Sequence, residues 1–248
     1  MSSANIKALL LCAGKGTRLR PITDYVPKCL VPVAGRPLLG YWLEFLVRAG
    51  VRDILVNTHY MARAVGDFVR QSGYSKYVTM VYEKILLGTG GTLLKNRKYF
   101  GDSTVMLAHA DNLSMFDFSR FAKVHLGRPS GTEITMMTFK TDTPRSCGII
   151  KTDRNGIVKG FFEKKKNPPG NTANAAVYLL DSSVIDFLAS LNKKKIDFST
   201  EVLPSFVGKI FTFHNSHYHR DIGTVRDYLI ANSPDSVRKL SKLSEALW

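Results

Sequence analysis

Residues 6–35 read IKALLLCAGKGTRLRPITDYVPKCLVPVAG, and this stretch decides the fold. Ile6 through Cys12 is a short apolar run, the pattern of a strand buried on both faces of a parallel sheet. It passes directly into Ala13-Gly14-Lys15-Gly16-Thr17, and Arg18, Arg20 and Lys28 follow with Pro21 and Pro27 among them. A strand that ends in a glycine loop sets backbone N–H groups at the carboxyl edge of the sheet, where α/β folds bind ligands. Arginine and lysine heads in the same segment suit phosphate oxygens. Two familiar phosphate motifs nevertheless fail here. The dinucleotide fingerprint G-x-G-x-x-G meets Leu19 at its third glycine, and no G-x-x-x-x-G-K-S/T run occurs in the chain.

The segments that follow alternate. Pro37 to Leu46 predicts a helix: Pro37 suits its first turn, Leu38, Trp42, Phe45 and Ala49 share a face, and Gly50 follows its end. Residues 53–57, 78–83 and 104–108 predict buried strands, with helices at 61–71 and 92–100. Strand–helix alternation argues for a parallel sheet covered by helices. The second half changes character. Strands are expected at 133–139, 148–152, 157–162 and 175–180, with Asp153-Arg154-Asn155-Gly156 as a hairpin turn and a helix at 182–191. The expected fold class is α/β, a single nucleotide-binding, Rossmann-like domain with a mixed central sheet over residues 1–232. Residues 233–248 predict a basic, weakly amphipathic helical tail carrying Val237, Leu240, Leu243 and Leu247. Its apolar face is narrow, which suits a packing or oligomer contact better than a membrane anchor.

Composition narrows the partners. With 248 residues and 44% hydrophobic content the chain can bury a real core. No apolar run reaches the roughly 18 residues that a membrane-spanning helix needs. The N-terminal segment lacks the basic n-region of a signal peptide. Three cysteines, Cys12, Cys29 and Cys147, cannot all pair and show no metal-ligand spacing, so a reducing, cytoplasmic setting is expected. The net charge of +15 permits nucleic acid, an anionic membrane or phosphorylated small molecules. The basic residues are mostly scattered and form no aromatic-interleaved stripe, which favours small phosphates and argues against nucleic acid and membrane. Among the histidines, His217-x-His219 alternates as on one face of a strand, but no third ligand of proper spacing completes a zinc site.

Gly14-x-Gly16-Thr17-Arg18-Leu19-x-Pro21, followed by Pro27-Lys28-x-Leu30-x-Pro32-Val33, closely resembles the signature of the sugar-1-phosphate nucleotidylyltransferases. The resemblance continues in family order through Leu87-Gly88-Thr89-Gly90-Gly91, Asp111, Gly148-Ile149-Ile150, Glu163-Lys164, Asn174-Ala175-Ala176-Val177-Tyr178 and Arg220-Asp221-Ile222-Gly223-Thr224, covering residues 5 to 232. It implies a glycosyltransferase-A-like nucleotidyltransferase fold. It also implies nucleotide contacts from Leu11, Ala13, Gly14, Gly16, Thr17, Gly88, Thr89 and His109, and a shared Mg²⁺ on Asp111 and Asp221. Sugar-phosphate contacts would come from Gly148, Glu163, Lys164 and Asn174, with Arg18, Lys28 and Asp111 carrying the reaction. One departure stands out: the family usually has Asn or Gly ahead of the first metal aspartate, and this chain has His109-Ala110-Asp111. A ribose contact is expected to differ there.

The chemistry implied is attack of a sugar-1-phosphate oxygen on the α-phosphorus of a nucleoside triphosphate, with pyrophosphate leaving in line. The nucleophile is already an anion, so the protein must position two polyanions and neutralise spread charge. That is work for Arg18, Lys28 and a hard metal held by carboxylates. Glu83 is an acceptor-only carboxylate at a strand end, suited to guanine's paired donors, so GTP is favoured over UTP or dTTP. The compact relatives that the chain most resembles include guanylyltransferases acting on heptose or mannose 1-phosphates and uridylyltransferases for amino sugars. A homo-oligomer is compatible with these features. The alternatives are a uridylyl- or thymidylyltransferase acting on another sugar 1-phosphate, or a catalytically silent, nucleotide-sugar-sensing relative, against which the filled charged positions count.

Overall fold

Apolar runs become strands and amphipathic periods become helices in the computed structural model, which describes residues 5–247. In chain order the first part holds β1 (Ile6–Leu11), β2 (Pro32–Val33), β3 (Arg36–Pro37), α1 (Leu38–Arg48), β4 (Ile54–Thr58), α2 (Ala62–Gln71) and β5 (Val78–Tyr82). The middle holds α3 (Gly88–Lys95), α4 (Arg97–Phe100), β6 (Thr104–His109), β7 (Asn112–Met115), α5 (Phe118–Leu126) and β8 (Ile134–Lys140). Next come β9 (Gly148–Thr152), β10 (Val158–Glu163), β11 (Thr172–Leu180) and α6 (Ser182–Ser190). The last are β12 (Ile210–His214), β13 (Tyr218–Asp221), α7 (Val225–Ala231) and α8 (Pro234–Leu247). Parallel and antiparallel ladders both occur, so the sheet is mixed as expected. No helix among the described residues is long and apolar enough to cross a membrane.

Contacts divide the described residues into two compact units, 5–85 with 108–117 and 217–247, and 86–107 with 118–216. In the first, β1 pairs parallel with β4, and β4 with β5. Helix α1 buries Leu38, Trp42, Phe45 and most of its other residues, and the Trp42 indole N–H donates to the Asn112 carbonyl at 2.9 Å. That bond fixes the start of β7. β7 and β13 pair antiparallel, with Asp221 opposite Asn112 and His219 opposite Ser114. Neither strand was expected, because each is only four residues long, with alternate positions polar in β7 and three successive polar residues in β13. The tail helix α8 inserts Leu240 into a core cluster with Leu19, Val31, Leu38, Leu113 and Ile222, and Leu243 and Leu247 pack against it. Packing is therefore what its apolar stripe does.

In the second unit, β8 lies between β11, its antiparallel neighbour, and β12, its parallel one. The expected hairpin forms between β9 and β10, and Asp153 Oδ1 accepts the backbone N–H groups of Asn155 and Ile157. The expected helix at 92–100 begins earlier, at Gly88, and breaks at Asn96. Glycine disfavours helix on its own. Here the N–H groups of Gly90 and Gly91 both donate to the Ile196 carbonyl, and Thr92 Oγ1 donates to the Gly88 carbonyl, so tertiary bonds override propensity. Helix α5 and strand β12 were also not expected from the sequence pattern.

Candidate active site

The glycine loop follows β1 and is fixed at several points. Gly16 has φ +63°, and a Cβ there would lie 2.9 Å from Thr23 Cγ2 and 3.0 Å from Lys28 Cβ, so only glycine fits. Its carbonyl accepts from Thr23 Oγ1 at 2.8 Å. Leu19 is fully buried and anchors the turn, while Gly14, Thr17 and Arg18 stay exposed. Leu11 ends the strand and Ala13 is buried at the loop entry. The loop thus presents backbone and cations outward from a fixed base.

Lys28 is the hub of the charges. Its side chain is 7% exposed, and Nζ donates to Asp111 Oδ2 at 2.7 Å and to Asp221 Oδ1 at 3.2 Å. Burial works against its charge, yet the two carboxylates outweigh that and raise its pKa above the ordinary lysine value. Asp111 shows the converse: burial pushes its pKa up, but Lys28 and then His109 pull it below the usual carboxylate range. Arg18 sits more loosely, with Nη2 3.9 Å from Asp221 Oδ2. The β7–β13 pairing explains the convergence, since Asp111 directly precedes β7 and Asp221 ends β13.

The donor set suits a hard cation. Asp111 and Asp221 reach one common point, the Lys28 ammonium, and Mg²⁺ takes one or two carboxylates plus substrate phosphates. No cluster of three or more His, Cys, Asp or Glu side chains occurs among the described residues, so substrate oxygens and water would complete any shell. His219 of the His217-x-His219 pair is bonded within the fold. Its Nδ1 bonds Ser114 Oγ at 2.7 Å, and burial, then Arg220, lowers its pKa to about 3.

The residues expected to hold the sugar phosphate lie in the second unit. Glu163 pairs with Gly148 across the β9–β10 ladder. A Cβ on Gly148 would fall 2.6 Å from Glu163 Oε2, so glycine is what admits the carboxylate. Lys164 follows with φ +46°, its Nζ 3.4 Å from Glu163 Oε1 and its N–H bonded to the Cys147 carbonyl. Asn174 opens a bulge in β11, where the register against β8 shifts before Tyr178. Its Oδ1 accepts from the Ala176 N–H at 2.9 Å, and its Nδ2 donates to the Tyr178 hydroxyl at 2.6 Å. In the same unit Gly88 begins α3, and Thr89 Oγ1 accepts the Phe198 N–H at 2.8 Å.

The nucleotidyl transferase family model matches residues 7–236. The chain belongs to that family. Among curated relatives, the mannose-1-phosphate guanylyltransferase of Mycobacterium tuberculosis is 30% identical over 246 residues, covering 97% of this chain and 67% of that protein. The mannose-1-phosphate guanyltransferase of Debaryomyces hansenii is 31% identical over 232 residues, covering 90% and 63%. The chain thus spans about two thirds or less of the length of these relatives. A putative glucose-1-phosphate thymidylyltransferase from Bacillus anthracis shares the fold at TM-score 0.82 and 21% identity, over 93% of this chain and 95% of that one. HddC from Yersinia pseudotuberculosis complexed with GMP-PN superposes at TM-score 0.74 and 26% identity, over 91% and 97%. The resemblance to sugar-1-phosphate nucleotidyltransferases is therefore a family relationship.

Within this nucleotidyl transferase the first unit brings together Arg18, Lys28, Asp111 and Asp221, next to His109 at the end of β6. Glu83 differs from expectation. It is 1% exposed, and its Oε1 accepts from Asn57 Nδ2 at 3.2 Å, so in this conformation it offers a base almost no surface. The roles of Asn57 and Thr23, and the Trp42 bond to Asn112, went unnoticed in the sequence. Only Asn57 carried a signal there, as an amide directly after the apolar run Ile54-Leu55-Val56.

Proposed function

We propose that this chain transfers a guanylyl group from GTP to a sugar 1-phosphate of mannose or heptose type, releasing pyrophosphate and forming a nucleoside-diphosphate sugar. The observation that carries the reading is the Lys28 ammonium shared between Asp111 and Asp221 beside a glycine loop that bears Arg18. The guanine preference is supported by relatives named mannose-1-phosphate guanylyltransferases and by a structural neighbour complexed with GMP-PN. Residues 1–232 are taken as the nucleotidyltransferase region and 233–248 as its helical tail.

The loop N–H groups of Gly14 and Gly16 and the Thr17 hydroxyl cradle the triphosphate. Arg18 and Lys28 neutralise charge on the transferred and leaving phosphates, where preorganised donors contribute most. Asp111 and Asp221 would hold Mg²⁺, which when bound supplies further charge neutralisation on the phosphate oxygens. Asp111 also holds the Lys28 ammonium in place and favours its charge. Glu163 accepts hydrogen bonds from sugar hydroxyls, Lys164 binds the sugar's phosphate, and the Gly148 strand and Asn174 shape that surface. No general base is required, because the attacking phosphate oxygen is ionised.

A pyrophosphate-release screen crossing GTP, UTP, dTTP, ATP and CTP with a set of sugar 1-phosphates tests the reading. GTP with a mannose- or heptose-type phosphate is expected to give the highest kcat/KM. Better use of UTP or dTTP overturns the guanine assignment. Absence of turnover with every pair overturns the enzyme in favour of a sensing relative.

A further inference from the structure

Strand β4 reads Ile54-Leu55-Val56-Asn57-Thr58, and all five residues are buried. An amide in such a strand is tolerated only when its polar atoms find partners. Those of Asn57 reach two other strands. Its Oδ1 accepts the Cys12 N–H at 2.8 Å, and its Nδ2 donates to Glu83 Oε1 at 3.2 Å. Asn57 is in register with Leu11, the last residue of β1, so Cys12 is where the chain leaves the ladder and enters the glycine loop. Glu83 stands just beyond β5, its N–H bonded to the Thr58 carbonyl and its own carbonyl to His59 Nδ1. One side chain therefore ties the carboxyl ends of three parallel strands together at the first amide of the loop.

We propose that Asn57 is a positioning residue for the reaction, holding the glycine loop against the fixed Glu83 carboxylate so that the loop is preset for the triphosphate. This deepens the proposed nucleotidyl transfer and rests on it for the identity of the ligand. Cys12, Asn57 and Glu83 are 3%, 2% and 1% exposed, so none of the three is placed to touch substrate directly. The leverage comes from proximity: Gly14 is two residues beyond the clamped amide. Displacements of about 1 Å at such a point can lower rates by about 10²-fold. Removing the Asn57 side chain leaves the Cys12 N–H without its acceptor, and the loop must move to satisfy it.

The experiment combines site-resolved amide hydrogen exchange with steady-state kinetics on three variants of the whole chain. Asn57→Ala is expected to speed exchange at Cys12 and residues 13–17 by about 10-fold or more, with a similar rise in KM for GTP. The KM for the sugar phosphate should stay within about twofold. Asn57→Asp sets two carboxylates against each other and should disturb the loop in the same direction. Adding Glu83→Gln restores a donor facing an acceptor, and loop protection and KM for GTP should return toward the unaltered values. Three results overturn the proposal: unchanged loop protection in Asn57→Ala, faster exchange spread evenly over β1, β4 and α1 with an unchanged KM for GTP, or no recovery in the double variant. If the unaltered protein turns over no substrate pair, the nucleotidyl-transfer reading falls, and the exchange pattern with its recovery still decides the role of Asn57.

Discussion

The two sets of candidate site residues are held in opposite ways. In the first unit, charges hold one another: Lys28 sits between Asp111 and Asp221, with Arg18 at the margin. In the second unit, backbone irregularities do the holding. Glu163 closes on a glycine, Lys164 takes a positive φ, and Asn174 stabilises a bulge in its own strand. The difference follows from the tasks proposed for each. A triphosphate demands dense, mutually compensated charge, whereas a sugar demands acceptors and donors at set angles. Substitutions in the first set should therefore act on turnover, and those in the second on sugar-phosphate affinity.

The largest effect is expected from Asp111→Asn. It removes the nearer and more buried carboxylate of the Lys28 pair and one proposed metal ligand while keeping the side chain's shape. Turnover should fall by about 10³-fold, because preorganised charge in a shielded site carries much of the rate. Asp221 is half exposed and 0.5 Å farther from the ammonium (3.2 against 2.7 Å), so Asp221→Asn should lose about 10²-fold and demand more Mg²⁺ for half-maximal rate. A Mg²⁺ titration unchanged in either variant would reduce that aspartate to a structural partner of Lys28.

Next in size, Arg18→Ala should lower kcat by about 10²-fold. Its side chain is 62% exposed and its ion pair is loose, so unfolding free energy should change by no more than about 0.5 kcal/mol. Activity assays beside thermal denaturation separate the two. Near-normal turnover would return Arg18 to the ordinary surface and leave Lys28 as the sole cation of the first set.

How far this contrast was legible in the sequence depends on which kind of holding is at issue. The charge cluster was readable in two steps: the glycine loop with Arg18 and Lys28 close behind it from residue types, and the two aspartates from the family resemblance. The strand order that joins them was not. β7 and β13 are four-residue strands, the first half polar and the second mostly so, and their pairing links residues more than a hundred positions apart. In the second set, Glu163 and Asn174 were singled out only through the family resemblance, and the bulge that fixes Asn174 depends on a partner strand and carries no local signature. The segment at Gly88–Gly91 misled for the same reason, since its helix depends on the Ile196 carbonyl. Glu83 misled because a carboxylate at a strand end looks outward until Asn57 is seen beneath it.

Glu163→Gln tests the second set. Gln keeps the shape and loses the charge, so hydrogen bonds from sugar hydroxyls weaken, and KM for the sugar phosphate should rise by about 10-fold with KM for GTP unchanged. An equal rise for both substrates would mean that Glu163 supports the site generally rather than the sugar.

Gly148→Ala should give the smallest effect, and the most informative one about how the second set is held. The added Cβ would meet Glu163 Oε2 at 2.6 Å and Phe161 Cζ at 2.9 Å. The carboxylate is the free end of a flexible side chain, so it can swing aside, whereas the ring must shift within its packing. Overpacking of this kind costs about 1–3 kcal/mol when neighbours cannot yield, and here one of the two can. KM for the sugar phosphate is expected to rise by about threefold, because Glu163 is displaced rather than removed. The double variant Gly148→Ala with Glu163→Gln settles the mechanism. If glycine acts by admitting the carboxylate, the alanine adds little once the charge is gone, and the two effects fall short of additivity. Fully additive effects on KM would show that Gly148 serves the backbone of β9 on its own account, and the pairing of Gly148 with Glu163 would lose its functional meaning.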